Sequence, residues 1–445
     1  MHSRFPRVAL ALAACLTAWP VFAATRNYPG AAPCDTTLQA CIDASASGDT
    51  IELDFDGVNA ETLDIQKSIA LLPAAGRSPS LGIVIVVAQT QTVDVRLQSL
   101  TFSGRLIGVL GPGGGNLEMQ VSGNTFSPSG NPAIELRTSI NDGTYGSLLA
   151  TVEGNHVSVT GGDTCSDGIS VAQYKPSEGT SEIVLRGNEV TANNLNQCAG
   201  ISVYQSDGRL NLTVNHNRVS GASFNNGILV RAMGGEMQAG IYNNLVYGQG
   251  GNTGAAGALV LYADGPGDVT AHLVNNTVAN NATGMWVGAR TDLGAQVRGT
   301  MRNNIAAFNT RYGMNYQPDL APGFTESHNL LYGNGELEEP LPPDPYRRTG
   351  NPAFVNAAGG NYQLTASSDA INRGLSSALP GSFNQDLSGA ARIVGVAIDI
   401  GAYEYPVVVP LPPNPNRTTA IPTLSQWGLL LLCSLIALAG MRRRL

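Results

Sequence analysis

A carboxylate and a guanidinium stand four residues apart in the segment SEIVLRGNEV, at Glu182 and Arg186. In an extended strand, side chains separated by an even number of residues point to the same face. An acid and a base on one face could act on a polysaccharide as a lyase or hydrolase, provided that the base reaches the proton that it removes. We take Glu182 and Arg186 as the candidate catalytic residues, and a surface ion pair explains them equally well.

Further charged residues precede later copies of the same segment, at His272, Arg298 and Arg302. The two arginines lie four repeats beyond Arg186, which is roughly 19 Å at about 4.8 Å per repeat. One proton-transfer centre cannot span that distance. The sequence therefore favours a protein without enzymatic activity and keeps a polysaccharide lyase or glycoside hydrolase as the alternative, by analogy of fold alone.

Aromatic residues and an arginine recur on a second outward row, at Tyr204, Arg231 and Trp286. Exposed rings and a guanidinium on a flat sheet can stack on sugar rings, so these three residues are the candidate ligand-binding residues. Cover by a loop or by a C-terminal domain would explain the same residues equally well.

Metal and cofactor chemistry finds little support in the sequence. The chain has neither a Cys-x-x-Cys motif nor a His-rich spacing, and its GPGGGN turn is not followed by the Lys-Ser/Thr pair of a phosphate-binding loop. We predict no metal site and no cofactor. Four acidic turn residues could hold calcium, although solvated turns explain them better: Asp207, Asp264, Asp268 and Asp292.

The candidate residues belong to a repeat that fills the middle of the chain. Segments such as VEGNHV, LRGNEV and LVNNTV each contain one aligned asparagine, at steps of 25 to 33 residues. The eight aligned residues are Asn124, Asn155, Asn188, Asn217, Asn244, Asn276, Asn304 and Asn329. Apolar residues alternate before each asparagine, which indicates a strand with one buried face. A second strand recurs as GISV, GILV, GALV or GMWV.

A repeat of two or three short strands cannot bury its inner face alone, whereas stacked copies can. The sequence therefore predicts an all-β parallel solenoid over residues 51–335, in which stacked asparagines form a hydrogen-bonded ladder. The asparagine pattern resembles that of the right-handed parallel β-helix proteins, the pectate-lyase-like superfold. This resemblance implies the fold and no particular activity.

Residues 24–50 precede the repeats and are expected to cap them, because a solenoid needs a cover over its first rung. The segment CDTTLQACIDASASGDTIEL predicts a short helix from Thr37 to about Ser45, followed by a strand. A disulfide between Cys34 and Cys41 could tie this helix down.

Cys165 and Cys198 precede two successive copies of the second strand, at near-equivalent positions. Neighbouring rungs lie about 4.8 Å apart, which is within the reach of a disulfide. The four cysteines outside the two end segments form an even number, as expected for disulfides in an exported chain. We therefore predict a Cys165–Cys198 disulfide.

The repeat ends near Gly335, and residues 336–405 begin with an acidic, proline-rich connector. The stretches GNPAFVNAAGGNYQLTASSDAINRG and DLSGAARIVGVAIDIGAYEY resemble the choice-of-anchor Q domain that closes many bacterial surface β-helix proteins. The matching residues are Asn351, Pro352, Phe354, Tyr362, Leu364, Ser368, Ala370, Ile371, Gly374, Asp386, Arg392, Asp399, Gly401 and Glu404. Asp369, Asn372 and Arg373 depart from the usual pattern. We expect Asp399 and Glu404 to solvate a cap rather than to catalyse a reaction.

Both ends of the chain carry targeting features. Residues 1–23 contain two arginines, an apolar run and a cleavage signal after Ala23, as in a secretory signal peptide. Residues 406–420 form a proline-rich linker that favours an extended conformation. The 21 residues from Ile421 to Met441 are long enough to form a transmembrane helix.

The last segment, residues 421–445, resembles the IPTL-CTERM sorting signal. The matching residues are Ile421, Pro422, Thr423, Leu424, Trp427, Gly428, Arg442, Arg443 and Arg444. The resemblance implies that a membrane transpeptidase or protease recognises the segment, while a plain C-terminal anchor would give the same location. The terminal arginines should stay cytoplasmic. We therefore expect a bacterial protein that is exported, initially anchored in the inner membrane by a single-pass C-terminal helix, and retained in the cell envelope or at the cell surface.

The charge of the chain argues against a nucleic-acid partner. Outside the two end segments the chain carries 33 acidic residues and 20 basic ones, the latter being the total of 25 less five in those segments. A phosphate backbone would be repelled by this balance. We therefore expect a structural or adhesive surface protein whose partners are the membrane, a sorting enzyme and polysaccharide.

Overall fold

The computed structural model describes residues 23–128, 132–160, 166–192, 197–221, 224–250, 257–316, 323–335, 344–406, 431 and 434–436. The chain divides into a unit that ends at Tyr405 and a second unit that begins at Pro406. In the second unit, Leu431 and residues 434–436 are helical. None of the helices in the described part of the chain has the length and apolarity of a membrane span.

Strands β1–β33 are numbered in chain order, and twelve of them form a first parallel sheet in which the strand order follows the chain. These strands are β1 (Thr25–Tyr28), β2 (Thr50–Leu53), β4 (Ile69–Pro73), β6 (Val93–Gln98), β9 (Leu117–Ser122), β12 (Leu148–Glu153), β15 (Thr180–Arg186), β18 (Arg209–Asn215), β21 (Glu236–Tyr242), β24 (Asp268–Val274), β27 (Gln296–Arg302) and β30 (Phe324–Ser327).

A second ladder consists of short strands that follow the first sheet along the chain. They are β7 (Thr101–Phe102), β10 (Thr125–Phe126), β13 (His156–Val159), β16 (Glu189–Ala192), β19 (Arg218–Ser220), β22 (Leu245–Tyr247), β25 (Thr277–Ala279), β28 (Ile305–Ala307) and β31 (Leu330–Tyr332).

The third ladder contains β3 (Gly57–Ile65), β5 (Pro79–Ala88), β8 (Leu106–Leu110), β11 (Ile134–Thr138), β14 (Ile169–Gln173), β17 (Gln197–Gln205), β20 (Phe224–Ala232), β23 (Leu259–Ala263), β26 (Met285–Ala289) and β29 (Met314–Tyr316). Strand β5 pairs with both β7 and β8, so it joins the second and third ladders at one corner. We call the three ladders the first sheet, the short sheet and the third sheet.

From β6 to β29, each turn of the chain contributes one strand to each sheet, and the next turn stacks on it in parallel register. In β15, for example, Ile183 and Leu185 point inward and are buried, while Glu182 and Arg186 point outward and are exposed. Burying such a side chain contributes about 1.5–3 kcal/mol, and the inward side chains of all turns form one continuous core. The chain is therefore an all-β parallel solenoid, as the asparagine repeat predicts.

A short helix, α1 (Leu38–Ala44), follows β1 and precedes β2 in the chain, and these two strands pair with each other. Its N-cap is Thr37, whose hydroxyl accepts the backbone N–H of Ala40 at 3.1 Å. One face of the helix is buried, and a disulfide joins Cys34 to Cys41. The helix thus covers the core near the first rungs, where the sequence places the cap.

Residues 344–405, here called the C-terminal domain, pack on the outer face of the short sheet. The domain contains the antiparallel strands β32 (Phe354–Asn356) and β33 (Asn361–Leu364). It also contains 3-10 turns at Ala357–Gly359 and Ser376–Ala378, and another such turn lies in the solenoid at Thr291–Leu293. Two apolar clusters join the domain to the short sheet, and their buried members are Leu245, Ala279, Tyr362, Leu387, Ala402 and Tyr403, then Ile305, Ala307, Leu330, Leu364, Ala370 and Ile400.

Candidate functional site

The eight aligned asparagines are buried and stack at the bend between the first sheet and the short sheet. The side-chain nitrogen of each of the first seven donates to the side-chain oxygen of the next asparagine at 2.9–3.0 Å. The same oxygen accepts the backbone N–H of the preceding asparagine, and a second N–H of the amide reaches a strand carbonyl, as from Asn217 to Leu185 at 2.8 Å. The ladder therefore pairs backbone groups that the bend would leave unsatisfied inside the core.

A second, shorter ladder stacks at the bend between the short sheet and the third sheet. Asn281 donates to Asn309 at 3.1 Å, and Asn309 donates to Asn334 at 2.9 Å. Each of these residues follows a ladder asparagine by five positions, a periodic signal that sequence reasoning missed.

The residue before each ladder asparagine has a positive φ of 52–63°. Three consecutive rungs carry glycine there, at Gly123, Gly154 and Gly187, and later rungs carry asparagine or histidine, which tolerate this conformation better than other side chains do. All five of these later residues contact the C-terminal domain, and two of them make a pair of hydrogen bonds with its backbone. Asn275 donates to the carbonyls of Asp399 and Gly401 at 2.8 and 3.0 Å, and Asn303 exchanges two hydrogen bonds with the backbone of Leu375.

The outer face of the third sheet carries the predicted ligand-binding residues. Strand register places Tyr204, Arg231 and Tyr262 side by side on successive rungs. Trp286 lies on the next rung and stacks on Tyr262, with ring centroids 4.9 Å apart and an angle of 23° between the planes. Arg231 forms an ion pair with Asp264. The structure thus brings the three predicted residues onto one face and adds Tyr262, which the sequence analysis did not include.

Asp167 lies beside this aromatic face and is almost fully buried, with 8% of its surface exposed. One carboxylate oxygen accepts the backbone N–H of Ala199 at 2.8 Å, and the other accepts the hydroxyl of Ser202 at 2.5 Å. Burial raises the pKa of Asp167, and burial together with the nearby charge of Asp167 raises the pKa of Tyr204 to about 12. No repeat pattern marks this carboxyl in the sequence, because its role depends on contacts between rungs.

The acidic turn residues do not gather into one site. Asp264, Asp268 and Asp292 each form an ion pair with an arginine: Arg231, Arg298 and Arg290, respectively. The carboxylate of Asp207 accepts the N–H of Gly208 at 2.7 Å. Within the described ranges, no three Asp, Glu, His or Cys side chains converge as a metal-binding group.

The candidate pair Glu182 and Arg186 is arranged differently from the expectation. Arg186 forms its ion pair with Glu153 on the preceding rung, and Glu182 lies in register with Leu149 and Asn211. Their backbone positions in one strand are roughly 13 Å apart. The partner of Arg186 is therefore its neighbour across the sheet, which the sequence does not reveal without the register.

The C-terminal domain contains a buried charged cluster. Arg392 is 2% exposed and donates to the carbonyls of Asp399 and Gly401 at 2.8 and 2.7 Å. Glu404 lies 3.9 Å from its guanidinium. Burial raises the pKa of Glu404 to about 7 although the charge of Arg392 opposes the shift. The expectation that Asp399 and Glu404 only solvate a cap is wrong, because both are buried and accept backbone N–H groups.

Other predictions concern residues that lie outside the described ranges. Cys165 and the side chain of Cys198 are not described, so their disulfide stays a prediction. Residues 1–22, which carry most of the predicted signal peptide, also lie outside, as do all the residues that resemble the sorting signal.

Comparison with known proteins adds one motif and one similar structure. Residues 419–444 match the IPTL-CTERM motif. The structure is similar to that of pectate lyase Pel9A, with a TM-score of 0.46 and 14% sequence identity over 86% of this chain and 96% of that chain. Curated proteins give no match. The predicted IPTL-CTERM segment is thus confirmed, and the chain is a parallel β-solenoid that carries at its C-terminus the motif of an exported, surface-sorted protein.

Proposed function

We propose that this chain is a surface-retained adhesive protein that binds polysaccharide on the outer face of its third sheet. The observation that carries the proposal is the stack of Tyr262 and Trp286 next to Arg231. Aromatic rings offer a large apolar face to the C–H groups of a sugar ring, at a small cost in side-chain entropy. We call Tyr204, Arg231, Tyr262 and Trp286 the aromatic platform.

Two ion pairs beside the aromatic platform supply hydrogen-bonding groups for sugar hydroxyls. Arg231 forms one ion pair with Asp264. Arg290, which follows the strand of Trp286, forms the other with Asp292, and the guanidinium nitrogen lies 2.7 Å from the carboxylate oxygen. Rungs repeat at about 4.8 Å, so a linear polymer laid along the solenoid axis meets similar groups at regular intervals. A flat, periodic surface of this kind suits a polymer better than a small molecule, which needs an enclosed pocket.

The two ends of the chain support the proposed location. Residues 1–23 would export the chain, and residues 421–445 would hold it in the inner membrane by one C-terminal helix until a sorting enzyme acts on it. The linker of residues 406–420 would keep the solenoid clear of the membrane. The choice-of-anchor Q-like assignment of residues 336–405 belongs to the same proposal, since such a domain closes a surface β-helix.

Cleavage of the bound polysaccharide is the second candidate function, and Asp167 is the observation that favours it. A buried carboxyl with a raised pKa can hold a proton at a pH where exposed carboxyls have lost theirs. Asp167 lies on the same face as the aromatic platform, which would place it near a bound chain. Release of a shortened sugar product distinguishes cleavage from binding alone.

Binding to soluble oligosaccharides tests the proposal directly. The exported part of the chain should bind at least one of cellohexaose, xylohexaose and hexagalacturonate in calorimetry. Trp286→Ala should weaken that binding roughly tenfold, since a lost aromatic contact is worth about 1.4 kcal/mol. Tyr346→Ala is the matched control, because Tyr346 is 54% exposed and stacks on His328, away from the platform.

The outcomes separate the two candidates from each other. Binding without new reducing ends or unsaturated sugars supports an adhesive protein, whereas product release that is lost in Asp167→Asn supports an enzyme. Equal affinity of the wild type and Trp286→Ala, or no binding to any of the three sugars, would contradict the proposal.

A further inference from the structure

A polar groove lies on the outer face of the first sheet, away from the aromatic platform. Its cavity volume is about 750 Å³. The floor is a column of side chains from the last positions of five successive strands, which strand register places next to one another: Gln98, Ser122, Glu153, Arg186 and Asn215. The column is roughly 19 Å long at about 4.8 Å per rung.

The groove is closed at one end by the C-terminal domain. The next residue in the column is Tyr242, which is only 7% exposed because Phe383 packs on it with ring centroids 4.5 Å apart. The imidazole Nε2 of His216 lies 3.1 Å from the carbonyl oxygen of Gln385. Residues 382–385 therefore cross the column at β21 and form an end wall.

Glycine keeps the side of the groove open. Gly123, Gly154 and Gly187 line it at the positive-φ position before a ladder asparagine. A Cβ atom placed on any of them would meet no atom closer than 3.7 Å. Space therefore does not demand glycine here, and a longer side chain at this position would extend into the groove.

The groups on the floor are polar, but their charges cancel. Glu153 and Arg186 form an ion pair across neighbouring rungs. Burial lowers the pKa of His216, and a neutral ring protonated on Nε2 fits its contacts, since Nδ1 lies 3.1 Å from the amide nitrogen of Asn215. The amide oxygen of Asn215 is buried without a hydrogen-bond partner in the described part of the chain. The floor thus offers donors and acceptors without net charge.

We infer that this groove binds the terminal sugars of a neutral glycan chain. Hydroxyl groups can donate to the carboxylate of Glu153 and accept from the guanidinium of Arg186, whereas a charged sugar would face one like charge in that pair. The end wall at Phe383 stops a chain from passing through, so the groove takes a chain end and not an internal stretch. The site lies on a different sheet from the aromatic platform and does not depend on it.

The test uses the exported chain with Trp286→Ala as the background, so that the platform contributes little. Neutral cello- and xylo-oligosaccharides of two chain lengths are the probes, and hexagalacturonate is the acidic comparison. We expect one protein bound per glycan chain at both lengths. Adding Gly187→Asn should weaken binding at least tenfold, because asparagine accepts this backbone conformation, as at Asn243, and fills the groove.

Gly248→Asn is the matched control. Gly248 also has a positive φ, 71°, and a Cβ there would meet no atom closer than 3.9 Å. It lies, however, at the bend between the short sheet and the third sheet, away from the groove. The affinity of the Gly248→Asn variant for the glycan should equal that of the background. Phe383→Ala should open the end wall and raise the number of proteins bound per long chain above one.

Three results would overturn the inference. The first is several proteins per long chain without Phe383→Ala, which would show binding to internal sugars. The second is unchanged affinity in a folded Gly187→Asn variant. The third is failure to bind any neutral probe, with or without binding of hexagalacturonate. None of these results bears on the aromatic platform, which is tested in the chain that retains Trp286.

Discussion

Asn275 and Gly187 occupy the same position in their rungs, directly before a ladder asparagine, yet only Asn275 reaches the C-terminal domain. Both have a positive φ, 57° and 63°. Gly187 lines the open groove, whereas Asn275 donates both N–H groups of its amide to backbone carbonyls of the domain. One position of the repeat therefore decides whether a rung stays open or is covered.

The bonds of Asn275 can be removed without disturbing the bend. Asn275→Gly should lower the free energy of unfolding by about 1–2 kcal/mol, since two buried hydrogen bonds are lost while Arg392 still donates to both carbonyls. Glycine keeps the positive φ, as Gly187 shows. Urea unfolding measures the loss, and limited proteolysis should cleave residues 344–405 faster. Ser99→Gly is the control, because Ser99 shares the backbone conformation, with φ 57°, but is exposed; an equal loss in both variants would contradict the assignment.

The interior of the asparagine ladder should be far less tolerant than the outer face. Asn217 donates to Leu185 and Asn244 and accepts two bonds from Asn188. Asn217→Ala should therefore cost about 3 kcal/mol or more, because it leaves buried backbone groups unpaired. Asn211→Ala is the matched control, since Asn211 points outward from the strand before the same bend. Similar urea midpoints for the two variants would show that the ladder contributes little.

Sequence alone predicts the parts of this protein that repeat. The period of the asparagines predicts the solenoid, because a buried amide at a bend needs a partner at the same position one rung away. The partner of Arg186 could not be predicted, since it depends on the strand register that brings Glu153 alongside. Asp167 and the end wall at Phe383 were missed for a similar reason. Both contact residues that are distant in the chain, and neither occupies a position that recurs in the asparagine repeat.

The buried carboxyl of Glu404 should make the stability of the chain depend on pH. Its pKa is raised from the ordinary 4.5 to about 7, so the folded state holds this proton more tightly than the unfolded state does. The resulting stabilisation is complete below about 4.5 and is lost as the pH rises through 7.

Glu404→Gln should remove this contribution and flatten the pH dependence of the unfolding free energy between those two values. Urea unfolding at several pH values across the window measures it. Glu182→Gln, which changes an exposed residue of β15, serves as the control for the loss of one carboxyl group. A Glu404→Gln variant with the slope of the wild type would contradict the prediction.

The disulfide in the cap should stabilise the first rungs. Replacing both Cys34 and Cys41 by alanine should lower the free energy of unfolding by about 2–3 kcal/mol, the loop-closure value for a short loop. Thermal unfolding measures the change. The double variant retains Cys165 and Cys198, so mass mapping of its non-reduced peptides also tests their predicted bond. Two free thiols at these positions would contradict that pairing.

Replacement of Trp427 and Gly428 tests the role of the IPTL-CTERM motif. If a processing enzyme reads these residues, the double variant should keep the mass of the untrimmed chain in mass spectrometry of membrane fractions. A change of Leu435, in the apolar part of the segment, to isoleucine is the conservative control and should leave trimming intact. Normal trimming of the Trp427 and Gly428 variant would favour a plain anchor.

The contacts of the C-terminal domain imply an order of folding. Each ladder bond between neighbouring asparagines joins residues 25 to 33 positions apart, whereas the bond from His216 to Gln385 spans 169 positions. Longer loops cost more entropy to close, and domains emerging from synthesis or export form N-terminal end first. A chain can therefore coil rung by rung, and residues 344–405 can attach fully only after the strands up to β31 have formed, because the domain packs on residues from β18 to β31. Attachment of residues 344–405 therefore requires that the coil has already formed. In the chain, these residues come shortly before the segment that carries the sorting motif.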